Sequence, residues 1–128
     1  MRDLRKPPCS GETALRTPVA RTAAASNDST EIAAIRKAFG PHAERLSISS
    51  TKSMHGHAMG ASGAIELAAS IMALQHGVVP PTANYTEPDP ECDLDVTPNH
   101  ARSRPLRAAL SNSFAFGGLN AVLAIRRP

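Results

Sequence analysis

Residues 121–125 read Ala-Val-Leu-Ala-Ile, five apolar side chains with no polar residue between them. The run is bounded by Gly117-Gly118 before it and Arg126-Arg127 after it, which suits a strand over Asn120–Arg126 better than a helix. A strand that is apolar throughout is expected to be covered on both of its faces. Leu106–Phe116 reads as the strand before it, with Gly117-Gly118 as the turn.

Upstream, the pattern alternates between helix and strand. Asp28 or Ser29 can cap a helix over Thr30–Phe39, where Ile32, Ile35 and Phe39 share a face. Gly40 stops it and Pro41 prevents its resumption. Leu46–Ser50 reads as a strand, because Leu46 and Ile48 alternate with polar residues. A second helix is expected over Gly60–His76, with Ala64, Leu67, Ala68, Ile71 and Leu74 as its apolar stripe and Gly77 as its end. Residues 82–105 are rich in proline and acid and read as loop, and residues 1–27 show no apolar period and read as an irregular arm.

At 128 residues the chain is one ordinary domain in size, and 41% apolar content is enough for a core. Four aromatic residues, Phe39, Tyr85, Phe114 and Phe116, argue against nucleic-acid binding by base stacking. The net charge of +3 lies within residues 1–22, and the rest of the chain is neutral, so the basic balance does not mark a binding face elsewhere. Cys9 and Cys92 are too few for a disulfide framework and lack metal spacing, which favours a reduced, cytoplasmic chain. The longest apolar helix candidate, Ala64–Leu74, carries Glu66 and falls short of the roughly 20 residues a membrane span needs.

The segment Ser49-Ser50-Thr51-Lys52-Ser53-Met54-His55-Gly56-His57-Ala58-Met59-Gly60-Ala61-Ser62-Gly63 carries the strongest chemical pattern. A strand ends, a lysine follows, and a histidine reaches the start of a helix. Exposed N–H groups there favour a neutral imidazole and developing negative charge. Gly56, Gly60 and Gly63 allow close backbone approach. Lys52 can orient His57 or bind an anion. This layout suits stabilisation of an enolate by a fixed N–H donor near a cation. Spacing alone equally allows capping and surface roles for His57 and Lys52, and a solvated position for His55. Glu66 is either a rim carboxylate or a buried partner of a backbone amide. In Ser111–Asn120, backbone N–H groups at the two glycines can face an oxyanion and Phe116 can gate a pocket; a plain hairpin with Phe114 and Phe116 as core anchors fits the same pattern. Cys92 lies in an acidic loop, which raises a thiol pKa and makes it a poor nucleophile.

Taken together, the ordered pieces Ser26-Asn27-Asp28-Ser29-Thr30-Glu31, Ser49-Ser50-Thr51-Lys52-Ser53, Gly56-His57, Gly60-Ala61-Ser62-Gly63, Pro80-Pro81-Thr82, Cys92-Asp93-Leu94-Asp95 and Ser111-Asn112-Ser113-Phe114-Ala115-Phe116-Gly117-Gly118 give the chain a family likeness. From about Ser26 to Arg127 it resembles the C-terminal part of β-ketoacyl-[acyl-carrier-protein] synthases of the synthase II-like and nodulation types. The resemblance implies an α/β architecture, the C-terminal and incomplete portion of a thiolase-like fold, with a mixed sheet and covering helices. It implies decarboxylative Claisen condensation in fatty-acid or polyketide-type biosynthesis, with acyl-carrier protein and malonyl-carrier protein as partners and no cofactor or metal. By match to the motifs, His57 stabilises the enolate, Lys52 supports it, and Phe116 is the gate whose N–H joins the acyl oxyanion hole. Glu31 and Glu66 match acidic positions of the family with structural roles.

The departures from the family pattern bear on activity. The nucleophilic cysteine of these synthases belongs to an N-terminal half, and neither Cys9 nor Cys92 stands in its motif. The second catalytic histidine normally opens an Ala-His-Gly-Thr motif, where this chain has Val19-Ala20-Arg21-Thr22. In a GC-rich gene Ala20–Ala23 can be written GCG-CGC-ACG-GCA, which yields Ala-His-Gly when read one base over. Residues 1–25 are therefore expected to be an irregular arm, an out-of-frame reading, ahead of a synthase C-terminal domain over 26–128. The chain alone is expected not to condense; the alternative is a non-catalytic module that binds a separately encoded N-terminal half or a synthase, or pairs with itself. Strands that normally meet the other half are expected to be open edges, with exposed apolar surface. Arg102, Arg104 and Arg107 form the one basic cluster of the matched region, and a solvated loop explains them as well as carrier-protein binding does.

Overall fold

The computed structural model describes residues 14–17, 27–115 and 117–128. In chain order the elements are β1 (Ala14–Thr17), α1 (Asn27–Phe39), a 3-10 turn (Gly40–Arg45), β2 (Ser47–Ile48), α2 (Lys52–His55), a second 3-10 turn (Met59–Ala61), α3 (Ser62–His76), β3 (Val78–Val79), β4 (Arg102–Ser103), β5 (Ala108–Ala115) and β6 (Leu119–Arg126). The main sheet has the order β2-β1-β5-β6. β1 runs parallel to both β2 and β5, while β5 and β6 form an antiparallel hairpin with Ala108 opposite Arg126 and Ala115 opposite Leu119. Gly117 and Gly118 hold φ of +83° and +80° in that turn, a region glycine enters without a Cβ clash. The structure is thus a mixed sheet with helices, as the sequence implies.

Two apolar clusters hold the layers together. In one, Ile32 and Ile35 of α1 meet Ala43, Leu46, Ile48 and Leu94. In the other, Ala73 and Leu74 of α3 meet Val79, Leu106 and Ala109, with Ile125 packed alongside. Full burial of an isoleucine or leucine contributes about 1.5–3 kcal/mol. The positions expected for the buried face of α1 are therefore the ones that anchor it. α1 starts at Asn27, three residues before the expected start, and Pro41 ends the α-helix but sits in the first turn of the 3-10 segment, where its missing N–H is no loss.

Three expectations are corrected. Ala14–Thr17, inside the stretch read as irregular, forms a strand between β2 and β5. Four residues flanked by two ladders need no sequence period to be held, and so leave none to read. The second correction concerns α3. Ala64, Ala68 and Ile71 of the expected core stripe are exposed, Leu67 is half-buried, and only Leu74 is buried. The face turned inward carries Ser62, Glu66 and Ser70 instead, together with Ala73 and Leu74. Finally, β6 is an edge strand and not one covered on both faces: Leu119 is 72% exposed, Val122 55% and Leu123 49%. α3 and β6 together present the exposed apolar surface expected of a partial fold.

Candidate active site

β2 ends at Ile48, and α2 begins four residues later with Lys52. Thr82 ties this junction to the far loop: its hydroxyl accepts the Ser50 N–H at 3.0 Å and donates to the Val96 carbonyl at 2.7 Å. Ser53 repeats the device, accepting the Ala83 N–H at 2.8 Å and donating to the Ser50 carbonyl at 2.6 Å. The result is a cleft of about 260 Å³ lined by Ser50, Lys52, Ser53, His57, Thr82, Ala83 and Asn84. Lys52 and His57 do converge on one cleft, as their spacing suggests.

The two side chains have different surroundings. Lys52 is buried, and its ammonium forms an ion pair with Glu66 of α3, whose side chain is 1% exposed. Burial pushes the Lys52 ammonium below its ordinary value, and the negative charge of Glu31 works against that push. Glu66 is therefore neither a rim carboxylate nor the partner of a backbone amide; it is the counter-charge of Lys52. Next to the pair, Asn112 of β5, fully buried, donates its side-chain N–H to Glu31 Oε1 at 3.1 Å. Among the described residues, Ser49 Oγ, Glu66 Oε2 and Asn112 Oδ1 have no hydrogen-bond partner. Lys52 is thus held by a carboxylate behind it and does not orient His57 directly.

His57 is exposed at the cleft. Its Nδ1 accepts the Met59 backbone N–H at 2.9 Å and lies 3.2 Å from the Ser62 hydroxyl. A backbone N–H can only donate, so Nδ1 is the acceptor and the neutral ring carries its proton on Nε2. One nitrogen caps the turn into α3, and the other is left as an N–H donor. Met59, at φ +50°, adopts a left-handed conformation that presents its N–H to the ring.

The glycines matter for a different reason than close approach. A Cβ at Gly56 or Gly60 would meet nothing within 4 Å, and one at Gly63 would meet Ser113 Oγ at 3.8 Å, an ordinary contact. What Gly56 provides is its φ of +78° at the end of α2. Phe116, the expected gate, lies outside the described residues. Ser62, Thr82 and Asn112 escaped the sequence reading as site-forming groups. The Asn112–Glu31 bond spans 81 residues and the Thr82–Ser50 bond 32, and no local signal marks such pairs.

Two peripheral groups resolve as well. Arg102 pairs with Asp95 at 2.8 Å, and Arg104 donates to Ser47 Oγ and to the Arg45 carbonyl, so these two arginines serve internal contacts. The Cys92 thiol is pushed up to about 11, first by burial and then by the charges of Asp89 and its neighbours. At pH 8 iodoacetamide is expected to alkylate Cys92 about 100-fold more slowly in the folded chain than in urea, read by peptide mass mapping. Equal rates would show a thiol in ordinary surroundings. Among the described residues, no group of three or more His, Cys, Asp or Glu is placed to hold a metal ion, and no helix is long and apolar enough to cross a membrane.

The family model "Beta-ketoacyl synthase, C-terminal domain" matches residues 19–86, more than half of the chain. The chain belongs to the β-ketoacyl synthase family. Nodulation protein E of a Rhizobium species is 62% identical over 106 residues, 83% of this chain and 26% of that protein. 3-Oxoacyl-[acyl-carrier-protein] synthase 2 of Synechocystis is 51% identical over the same shares. Among solved structures, a type II polyketide ketosynthase in complex with its acyl-carrier protein superposes with a TM-score of 0.81 at 38% identity, covering 90% of this chain and 28% of that one. The fold is therefore the C-terminal portion of the thiolase-like ketosynthase fold. The β-ketoacyl synthase chain described here spans about a quarter of the length of the curated relatives it matches.

Proposed function

We propose that this chain supplies the enolate-stabilising wall of a β-ketoacyl-[acyl-carrier-protein] synthase working in fatty-acid or polyketide-type biosynthesis. In the reaction, malonyl-carrier protein loses CO2, and the electron pair released passes to the thioester as an enolate. Its carbon then attacks an enzyme-bound acyl thioester and expels the thiolate. The observation that supports the reading is the His57 ring. With Nδ1 engaged by the Met59 N–H, Nε2–H is a fixed donor at a cleft that also contains Lys52, and an enolate oxygen is the kind of developing charge such a donor stabilises. Phe116 as gate and oxyanion donor belongs to the same reading, as do a reducing, cytoplasmic setting and a carrier-protein partner. The solved ketosynthase bound to its acyl-carrier protein supports the carrier-protein partner.

The chain by itself is proposed to be inactive, because the nucleophilic cysteine is missing and a covalent route needs one. The test is condensation of malonyl- and acyl-carrier protein. No product is expected from the isolated chain, and product is expected when a chain carrying the N-terminal portion of a relative is added. Robust turnover by the chain alone would overturn the proposal.

A second reading, a module that docks on a separately encoded N-terminal half, is favoured by α3. Ala64, Ile65, Ala68, Ile71 and Met72 form an outward stripe at helical spacing, while the polar Ser62, Glu66 and Ser70 are buried. A helix apolar on its outer face belongs between two layers. Met72→Glu is expected to abolish co-purification with the added N-terminal chain; retention of the complex would count against docking through this face.

A further inference from the structure

His55 is left unused by the chemistry proposed for the cleft, yet its ring is committed. It is the last residue of α2 and it is exposed. Its Nδ1 lies 2.8 Å from the Gly56 carbonyl oxygen, and its Nε2 lies 3.3 Å from Thr51 Oγ1. A carbonyl oxygen can only accept, so Nδ1 of His55 carries a proton. In the neutral ring Nε2 then accepts from the Thr51 hydroxyl, whose residue is 2% exposed and so forms a buried anchor. The two histidines therefore hold opposite tautomers: His55 protonated on Nδ1, His57 on Nε2.

The peptide between them is otherwise loosely determined. Gly56 has φ +78° and ψ 178°, and a Cβ there would touch nothing within 4 Å. Its N–H is held by the Lys52 carbonyl at 2.8 Å. Its carbonyl, among the described residues, is held by the His55 ring. The planar peptide joins the Gly56 carbonyl carbon through the His57 nitrogen to the His57 Cα, so rotation about the Gly56 Cα–C bond swings the His57 imidazole relative to the cleft. Met59 N–H and Ser62 fix the ring from one side only.

We propose that His55 is a positioning residue for His57: its Nδ1–H clamps the Gly56 carbonyl and thereby sets the direction in which His57 presents Nε2–H to the cleft. The inference rests on the proposed function for what that donor does, and on the geometry alone for how it is held. The experiment is long-range proton–nitrogen correlation of the full chain labelled with nitrogen-15 histidine, at a pH where both rings are neutral. Wild type is expected to show His55 as the Nδ1–H tautomer and His57 as the Nε2–H tautomer. In His55→Ala the wide separation between the two His57 ring-nitrogen resonances is expected to collapse toward a mixture, with the backbone amide signals of His42, His76 and His100 unchanged. His55→Asn, which keeps a short N–H donor, is expected to restore most of the separation, and Thr51→Val, which leaves the Gly56 contact, is expected to retain it. An unaltered His57 tautomer in a folded His55→Ala chain would overturn the proposal. So would wild-type His55 found protonated on Nε2 alone, a result that requires no variant to fold. None of these signals depends on turnover, so a failure of condensation would count against the proposed function and leave this inference standing.

Discussion

Replacing Lys52 by methionine is expected to destabilise the folded chain by about 3–5 kcal/mol, a large part of the stability of an ordinary domain. The reason is what remains behind. Glu66 is 1% exposed and, among the described residues, the ammonium of Lys52 is the cation paired with it, with the charge of Glu31 nearby. Without it the Glu66 carboxylate stays buried with no paired cation among the described residues. Glu66→Gln should cost less, because Lys52 keeps the charge of Glu31. The double variant Lys52→Met with Glu66→Leu should recover most of the loss, since removing both members of a buried pair is often neutral. Urea denaturation of the four chains measures these differences. A Lys52→Met chain as stable as wild type would mean that the pair carries no buried charge.

Cys92 predicts a pH dependence with a definite sign. Its folded value of about 11 lies above the ordinary 9.0, so between those values the folded chain binds more protons than the unfolded one and stability falls as pH rises. Cys92→Ser should remove that fall, read by urea denaturation across the interval. An unchanged slope would show a thiol in ordinary surroundings.

How much of this could be read in the sequence depends on the range of each interaction. Lys52 and His57 are five residues apart, and the strand, lysine, histidine and glycine order marks both as candidates, while the structure puts them at one cleft. The buried face of α1 was equally local, since Ile32 and Ile35 differ by one helical step. Glu66 was visible as an anomaly, a carboxylate in an apolar helix, but its partner lies on another element and its pairing inverts which side of α3 is inside. β6 misled for a related reason. An apolar run favours a covered strand, and does not record whether a covering layer belongs to the same chain. β1 left no trace, because two neighbouring ladders hold its four residues whatever their pattern.

The largest effect on chemistry is expected at His57. In the chain complemented by an N-terminal portion, His57→Ala should lower condensation by about 10²–10³-fold, the loss typical when one fixed donor to a developing oxyanion is removed. Acylation of the nucleophile, which draws on the other portion and on Phe116 but not on His57, should proceed at an unchanged rate. His57→Gln offers an amide N–H in a similar place and should recover part of the rate, but without the Nδ1 acceptor it loses the anchor to Met59 N–H and Ser62, so recovery should be incomplete. Ser62→Ala removes only the weaker of the two anchors and should cost far less than His57→Ala. That order separates a donor that acts on substrate from a residue that merely caps the turn into α3. If capping were its whole role, His57→Ala would lower stability by about 0.5–2 kcal/mol and leave the condensation rate of the folded fraction intact.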